Sequence, residues 1–202
     1  MSDIIAQIDK DEIEVFRHLA YTMGNMIIFP SNRVDGKSTI NGARGFHPPI
    51  KDRIDLTLEC IRRFYLNEAS PLSETLGRYK SFFELFDNFQ GYAEFFLFQD
   101  LVTNDFSAIK FFMPFRDFKT PAVPKTLESY ISYKGLVIDY INSRNQRILR
   151  VPTESRSALL FENREQNRIG MRRKRGEFRY ATDEVAHAEL AHAPRGAGES
   201  QK

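Results

Sequence analysis

The chain has 202 residues and a formal net charge of +2, with 18 Phe, 8 Tyr and no Trp. This length fits one ordinary domain with a tail, and so small a charge does not by itself indicate a partner. The single cysteine, Cys60, excludes an internal disulfide and a four-cysteine zinc site. Because neither a secretory signal nor an apolar run of membrane-spanning length is visible, we expect a cytoplasmic protein with no membrane partner.

The first fifty residues combine one helical pattern, one apolar run and one long polar loop. Asp9 or Asp11 can cap a helix whose apolar residues recur at helical spacing, and Gly24 ends it. The apolar run Met26–Phe29 predicts a short buried strand, closed by Pro30. The segment 30–53 that follows is polar and basic, and it is longer than most connections between core elements.

Helical spacing returns after this loop. Apolar residues repeat every three or four positions from Ile50 to Leu66, and a second stripe begins behind the cap and proline of Ser70-Pro71. The segment 92–102 is apolar on most sides, which predicts a buried helix, and Ile109–Met113 predicts a second strand. A final helix is expected from Thr126 until Pro152 stops it.

These elements predict an α+β fold that is mainly helical. About five helices would surround a Phe-rich core, with a small sheet containing Met26–Phe29 and Ile109–Met113. We assign residues 1–152 to a single globular domain. Beyond it the apolar residues become scattered and a basic cluster occurs, so we predict that 153–202 is a basic, largely disordered tail.

The strongest functional signal is the polar-basic loop 30–53. Glycines can expose backbone N–H groups there, and Arg, Lys and amide side chains are the groups that bind phosphate or carboxylate. The stretch GKST at 36–39 lacks the upstream glycine of a nucleotide P-loop. We predict an anion site for a phosphate-bearing small molecule or nucleic acid, formed by Asn32, Arg33, Lys37, Thr39, Asn41, Arg44 and Arg53.

Acidic residues follow on the next helix. Asp52, Asp55 and Glu59 share one helical face, which could hold Mg²⁺ beside a bound phosphate or could equally form ion pairs with neighbouring arginines. Ion pairing is the more common role of such helical carboxylates. Asp52 and Asp55 are nevertheless candidate catalytic residues, together with His47 of the loop, for which a role in a turn is the more common explanation. No histidine or cysteine spacing indicates zinc.

Several long blocks are similar to a known family. GNMIIFPSNRVDGKSTINGARG and DRIDLTLECIRRFY, with later blocks, resemble a family of uncharacterised bacterial proteins classed as a domain of unknown function, over roughly residues 9–149. The resemblance implies a bacterial intracellular protein and brings no assigned activity. Relatives carry a segment before the first helix, so we expect that this chain lacks the family's N-terminal segment.

Two classes of function therefore stay open. In the first, Arg33, Lys37 and Arg44 hold the anion of a ligand or substrate, Asn41 orients it, and a carboxylate places a metal ion or water. In the second, the protein is a non-enzymatic structural or interaction module whose loop charges pair internally. A ligand site would leave the guanidinium groups facing open space, whereas internal pairing would place each beside a buried acid.

Overall fold

Helices make up the described fold. The computed structural model describes residues 2–50, 52–119 and 123–151. The α-helices are α1 (Ser2–Ile5), α2 (Lys10–Ala20), α3 (Ile40–Phe46), α4 (Ile54–Tyr65), α5 (Ser73–Arg78), α6 (Lys80–Phe83), α7 (Phe89–Phe95) and α8 (Leu127–Arg150). Short 3₁₀ turns occur at Met23–Asn25, Glu84–Phe86 and Gln99–Leu101.

Residues Met1–Arg150 form one compact unit. Within the described ranges, no helix combines the length and the apolar character needed to cross a bilayer. The predicted tail 153–202 lies outside the described residues, so its disorder stays a prediction.

Helix α4 is the central element of the core. Every residue from Ile54 to Ile61 is buried, including the charged Asp55 and Glu59. One side of the helix carries Ile54, Leu58 and Ile61, which supply the apolar contacts, and the carboxylates bind arginines. Helices α5 and α7 pack against α4. The loop before α4 therefore leads directly into the core at Ile54, the first residue of this helix.

Aromatic rings fill the core beside α4. Tyr92 is fully buried, with its ring centroid 4.8 Å from Phe96 and 5.3 Å from Phe86. Phe83 packs on the same group, 5.8 Å from Tyr92. Tilted and edge-to-face pairs at these separations stabilise a core beyond the effect of area burial alone.

The predicted α+β fold class and its small sheet are wrong, because the described residues contain no strand. Met26–Phe29 has no regular secondary structure, although Ile27 and Phe29 are buried. A side chain binds its backbone, since Arg144 donates to the Met26 carbonyl (2.7 Å). In the segment Ile109–Met113, only an isolated bridge from Ile109 to Val102 forms. The N–H of Phe112 then donates to the Asp55 carboxylate, where a strand would need a neighbouring strand.

The predicted helices exist, but several of their bounds were wrong. Asp9 caps α2 through the N–H of Asp11, whereas α2 ends at Ala20 and not at Gly24. The stripe expected from Ser70 divides into α5, α6 and a 3₁₀ turn. The helix expected over 92–102 begins earlier and ends at Phe95. Asn88 caps this helix by accepting a hydrogen bond from the Gly91 N–H.

Arg144 joins α8 to the rest of the core. It is buried, and its guanidinium donates to the carbonyls of Gly24 (2.9 Å), Met26 (2.7 Å) and Phe96 (2.9 Å). Its charge also lies 4.3 Å above the Phe98 ring. Backbone carbonyls that would otherwise lack donors are thereby satisfied by one side chain. Arg144 is therefore a structural residue.

Candidate functional site

The polar loop contains a helix that the sequence did not predict. Thr39 caps α3, its hydroxyl accepting a hydrogen bond from the Gly42 N–H (3.2 Å). Ile40 begins the helix and is completely buried, and Ile50 is also buried after the helix ends. One apolar anchor at the start of α3 and one after its end thus attach the middle of the loop to the core.

A tight turn before α3 positions Lys37. Asp35 and Gly36 both have positive φ (52° and 68°), and the Lys37 N–H donates to the Val34 carbonyl (3.0 Å). Two consecutive residues with positive φ are typical of a type I′ turn, in which Gly and Asp are favoured. Just before the turn, the Tyr79 hydroxyl donates to the Asn32 carbonyl (2.9 Å), which fixes the loop against the core.

Arg44 binds within the protein. It contacts Asp52 through an ion pair (2.7 Å) and through the Asp52 carbonyl (3.1 Å), and it donates to the Thr57 hydroxyl (3.0 Å). Burial lowers the pKa of Arg44, and the Asp52 carboxylate opposes this effect. These contacts tie the end of α3 to the start of α4, so Arg44 has a structural role in this arrangement.

The carboxylates of α4 are also matched by arginines. Asp55 is completely buried and accepts hydrogen bonds from Arg53 (3.0 Å) and from the Phe112 N–H (3.1 Å). Glu59 accepts from Arg62 (2.8 Å) and Arg63 (2.7 Å). The acids that the sequence offered to Mg²⁺ therefore bind arginines instead. Within the described ranges, no group of three or more His, Cys, Asp and Glu side chains is arranged to hold a metal ion.

A basic cleft lies between the loop and α5. It has a volume of about 640 Å³. Its cationic side chains are Arg33, Lys37 and Arg78, with Glu74 as the carboxylate among the described lining residues. The remaining lining residues are Gly36, Ser38, Gly42, Ala43, Phe46, His47, Pro48 and Thr75. We refer to this feature as the basic cleft.

The cations of the basic cleft outnumber its carboxylate. Lys37 (2.9 Å) and Arg78 (3.2 Å) both bind the same oxygen of Glu74, so they are close neighbours. The hydrogen bond from Lys37 lowers the pKa of Glu74. Arg33 is exposed and forms no ion pair within the described part of the chain. The cleft therefore carries a local excess of positive charge.

Two buried nitrogens in the cleft have no hydrogen-bond partner among the described residues. These are Nδ1 of His47 and Nε of Arg78. Arg78 is otherwise fixed, since Nη2 donates to the Ser38 carbonyl (3.1 Å) and to the Thr75 hydroxyl (3.4 Å). A buried polar group usually finds a partner, in the protein or in a bound molecule. Both nitrogens are buried behind the cleft surface, in residues that line it.

Comparison with known proteins places the chain in a family. The model of a family of unknown function (DUF6994) matches residues 1–148. The chain belongs to this family. The resemblance to a domain of unknown function is thereby confirmed. No curated protein and no solved structure matches the chain.

The site residues predicted from the sequence fall into two groups in this family member, those that line the basic cleft and those that do not. Arg33, Lys37 and His47 line the basic cleft. The predicted residues that do not line it are Asn32, Thr39, Asn41, Arg44, Asp52, Arg53 and Asp55. Of the catalytic candidates, the cleft includes His47 alone.

Sequence reasoning missed the side of the cleft that α5 supplies. Glu74, Thr75 and Arg78 come from this helix, and Ser38 and Arg78, which touch across the cleft, are 40 residues apart. Glu74 and Arg78 at helical spacing could have signalled an ion pair on α5. No local signal shows that this pair faces the loop.

Proposed function

We propose that this protein binds a phosphate-bearing anion in the basic cleft. Arg33, Lys37 and Arg78 supply the positive charge. The observation that carries the proposal is that these three cations line the cleft with one carboxylate, Glu74, which pairs with Lys37 and Arg78 only. Elsewhere in the loop the matching is closer, since Arg44 binds Asp52 and Arg53 binds Asp55. An incoming anion would complete the balance of charge in the cleft.

The existing ion pair is easily exchanged for a ligand. Glu74 is 77% exposed and Lys37 is 57% exposed. Exposed ion pairs contribute about 1 kcal/mol or less, because water and salt screen them and ordering the side chains costs entropy. A phosphate offers more acceptor oxygens than one carboxylate and can bind a guanidinium in bidentate geometry. Phosphate can therefore displace Glu74 from Lys37 at little cost.

Neutral donors of the cleft fit the same ligand. Ser38 and Thr75 are hydroxyl-bearing residues of its lining. Phosphate oxygens accept hydrogen bonds from hydroxyl and guanidinium groups alike. The proposal therefore assigns binding to the basic cleft. We also propose a cytoplasmic location, in line with the single free thiol, Cys60, which is buried.

Isothermal titration with pyrophosphate tests this function. We expect the affinity to fall at least several-fold in Arg33→Gln and Lys37→Gln, and to weaken as salt is raised. Lys80→Gln is the matched control, because Lys80 is an exposed lysine that pairs with Glu84 away from the cleft. Unchanged affinity in both cleft variants, or no binding by the native protein, would refute the proposal.

A second candidate is a structural or protein-interaction module with internally paired charges. The ion pairs of Arg44 and Arg53 favour it for the part of the loop next to α4. Thermal denaturation and pyrophosphate titration of Arg44→Ala distinguish a structural role of this arginine from a role in ligand binding. A lower melting temperature in buffer alone with native pyrophosphate affinity assigns Arg44 to the structure and leaves the basic cleft as the binding site.

A further inference from the structure

Phe46 is exposed at the edge of the basic cleft. It is the last residue of α3, it lines the cleft, and 91% of its surface is accessible. No other large apolar side chain in the described part of the chain is as exposed. Single exposed apolar residues are common on proteins, but this ring stands beside a cluster of cations. Its position suggests a ligand with both an anionic part and a flat apolar part.

The backbone holds Phe46 in place. Buried Ile40 and Ile50 anchor the chain on either side of α3. The Arg44 side chain, two residues before Phe46, is fixed by Asp52 and Thr57. The ring therefore projects from a supported helix end. Because the backbone is fixed, a ligand that stacks on the ring has to order only the side-chain torsions of Phe46.

The volume of the cleft also exceeds what one phosphate needs. At about 640 Å³ it lies within the range of sites for small organic ligands, roughly 300–1,000 Å³. A bare phosphate on Lys37 and Arg78 would leave most of this space to water.

We propose that the basic cleft binds a nucleotide, with the phosphates on Arg33, Lys37 and Arg78 and the base stacked on Phe46. This inference rests on the proposed function and names its ligand class. Stacking on an aromatic side chain is available to every base, because each has a π-face.

Titration of ADP and of pyrophosphate, each against three variants, tests the assignment. Phe46→Ala should weaken ADP binding about tenfold, in line with the loss of one base–aromatic stack, and leave pyrophosphate binding unchanged. Phe46→Tyr keeps an aromatic ring and should bind ADP as the native protein does. Leu85→Ala is the control, because Leu85 is an exposed apolar residue outside the cleft.

The outcomes distinguish this inference from the function on which it rests. Pyrophosphate binding with equal ADP affinity in the native protein and Phe46→Ala would overturn the nucleotide and keep the anion site. Failure of both ligands to bind would overturn both. A 5′-phosphorylated tetranucleotide distinguishes a free nucleotide from the phosphorylated end of a nucleic-acid strand as the ligand. Phe46-dependent binding tighter than that of ADP assigns a strand end, and weaker binding assigns a free nucleotide.

Discussion

Replacing Asp55 with Asn would remove one negative charge from the interior and leave the shape of the side chain unchanged. Asp55 is completely buried, and it accepts hydrogen bonds from Arg53 and from the Phe112 N–H. Arg53 is itself largely buried. The variant would remove the negative charge that faces Arg53. It would also replace one accepting oxygen by an amide N–H₂, which would then face a donor, either Arg53 or the Phe112 N–H.

The expected cost is about 3 kcal/mol of the free energy of unfolding, since breaking a buried ion pair on one side typically costs 3–5 kcal/mol. For a protein of this size, such a loss lowers the melting temperature by roughly 10 °C. Asp52→Asn is the matched control. Asp52 is 67% exposed, and Asn tolerates its positive φ, so we expect a loss of about 1 kcal/mol or less.

Urea denaturation followed by circular dichroism measures both variants. The two should differ in midpoint and share the slope of the native protein, because the surface exposed on unfolding is unchanged. If Asp55→Asn lost no more stability than Asp52→Asn, the buried pair would not be holding the Phe112 segment to α4. Asp55 would then return as a candidate for chemistry.

Three further predictions concern other parts of the fold. Gly24→Ala should destabilise by about 2 kcal/mol in urea denaturation, because a Cβ there would lie 2.4 Å from the Ile141 carbonyl oxygen. Gly135→Ala, with open space at that position, should instead stabilise α8 by about 1 kcal/mol, and equal effects would refute the contact. Burial raises the pKa of Cys60 to about 12. Iodoacetamide at pH 8 should therefore modify the unfolded protein far faster than the native one, and rapid labelling of the native protein would contradict this. Hydrogen bonds, first from Thr103 and then from Ser107, lower the pKa of Asp105 to about 2. Its stabilisation of the turn is therefore present above its ordinary pKa of 3.8 and is lost as the pH falls through about 2. NMR titration should show this pKa returning towards 3.8 in Thr103→Ala, and an unshifted value would count against the bond.

Local patterns predicted the helices better than they predicted the tertiary contacts. Apolar spacing and the Asp9 cap located α2, and apolar spacing located α4. The two strands were wrong because an extended apolar segment looks the same whether its backbone partner is a strand or a side chain. Here the partners are Arg144 and Asp55, the first 118 residues from Met26 and the second 57 from Phe112.

The candidate site shows the same limit. The basic character of the loop is visible in the sequence, and two of its predicted cations, Arg33 and Lys37, do line the cleft. Composition cannot distinguish these from Arg44, whose ion pair depends on how α3 approaches α4. Helix α3 was missed because Ile40 alone anchors its start, which is too little for a periodic signal.

Removal of the carboxylate that competes with the ligand tests the basic cleft most directly. Calorimetric titration of Glu74→Gln with pyrophosphate should show binding about threefold to tenfold tighter than in the native protein, because Lys37 and Arg78 are released from the exposed carboxylate of Glu74. Glu84→Gln, which frees Lys80 away from the cleft, should bind as the native protein does. Unchanged or weaker binding by Glu74→Gln would contradict an anion site at these cations.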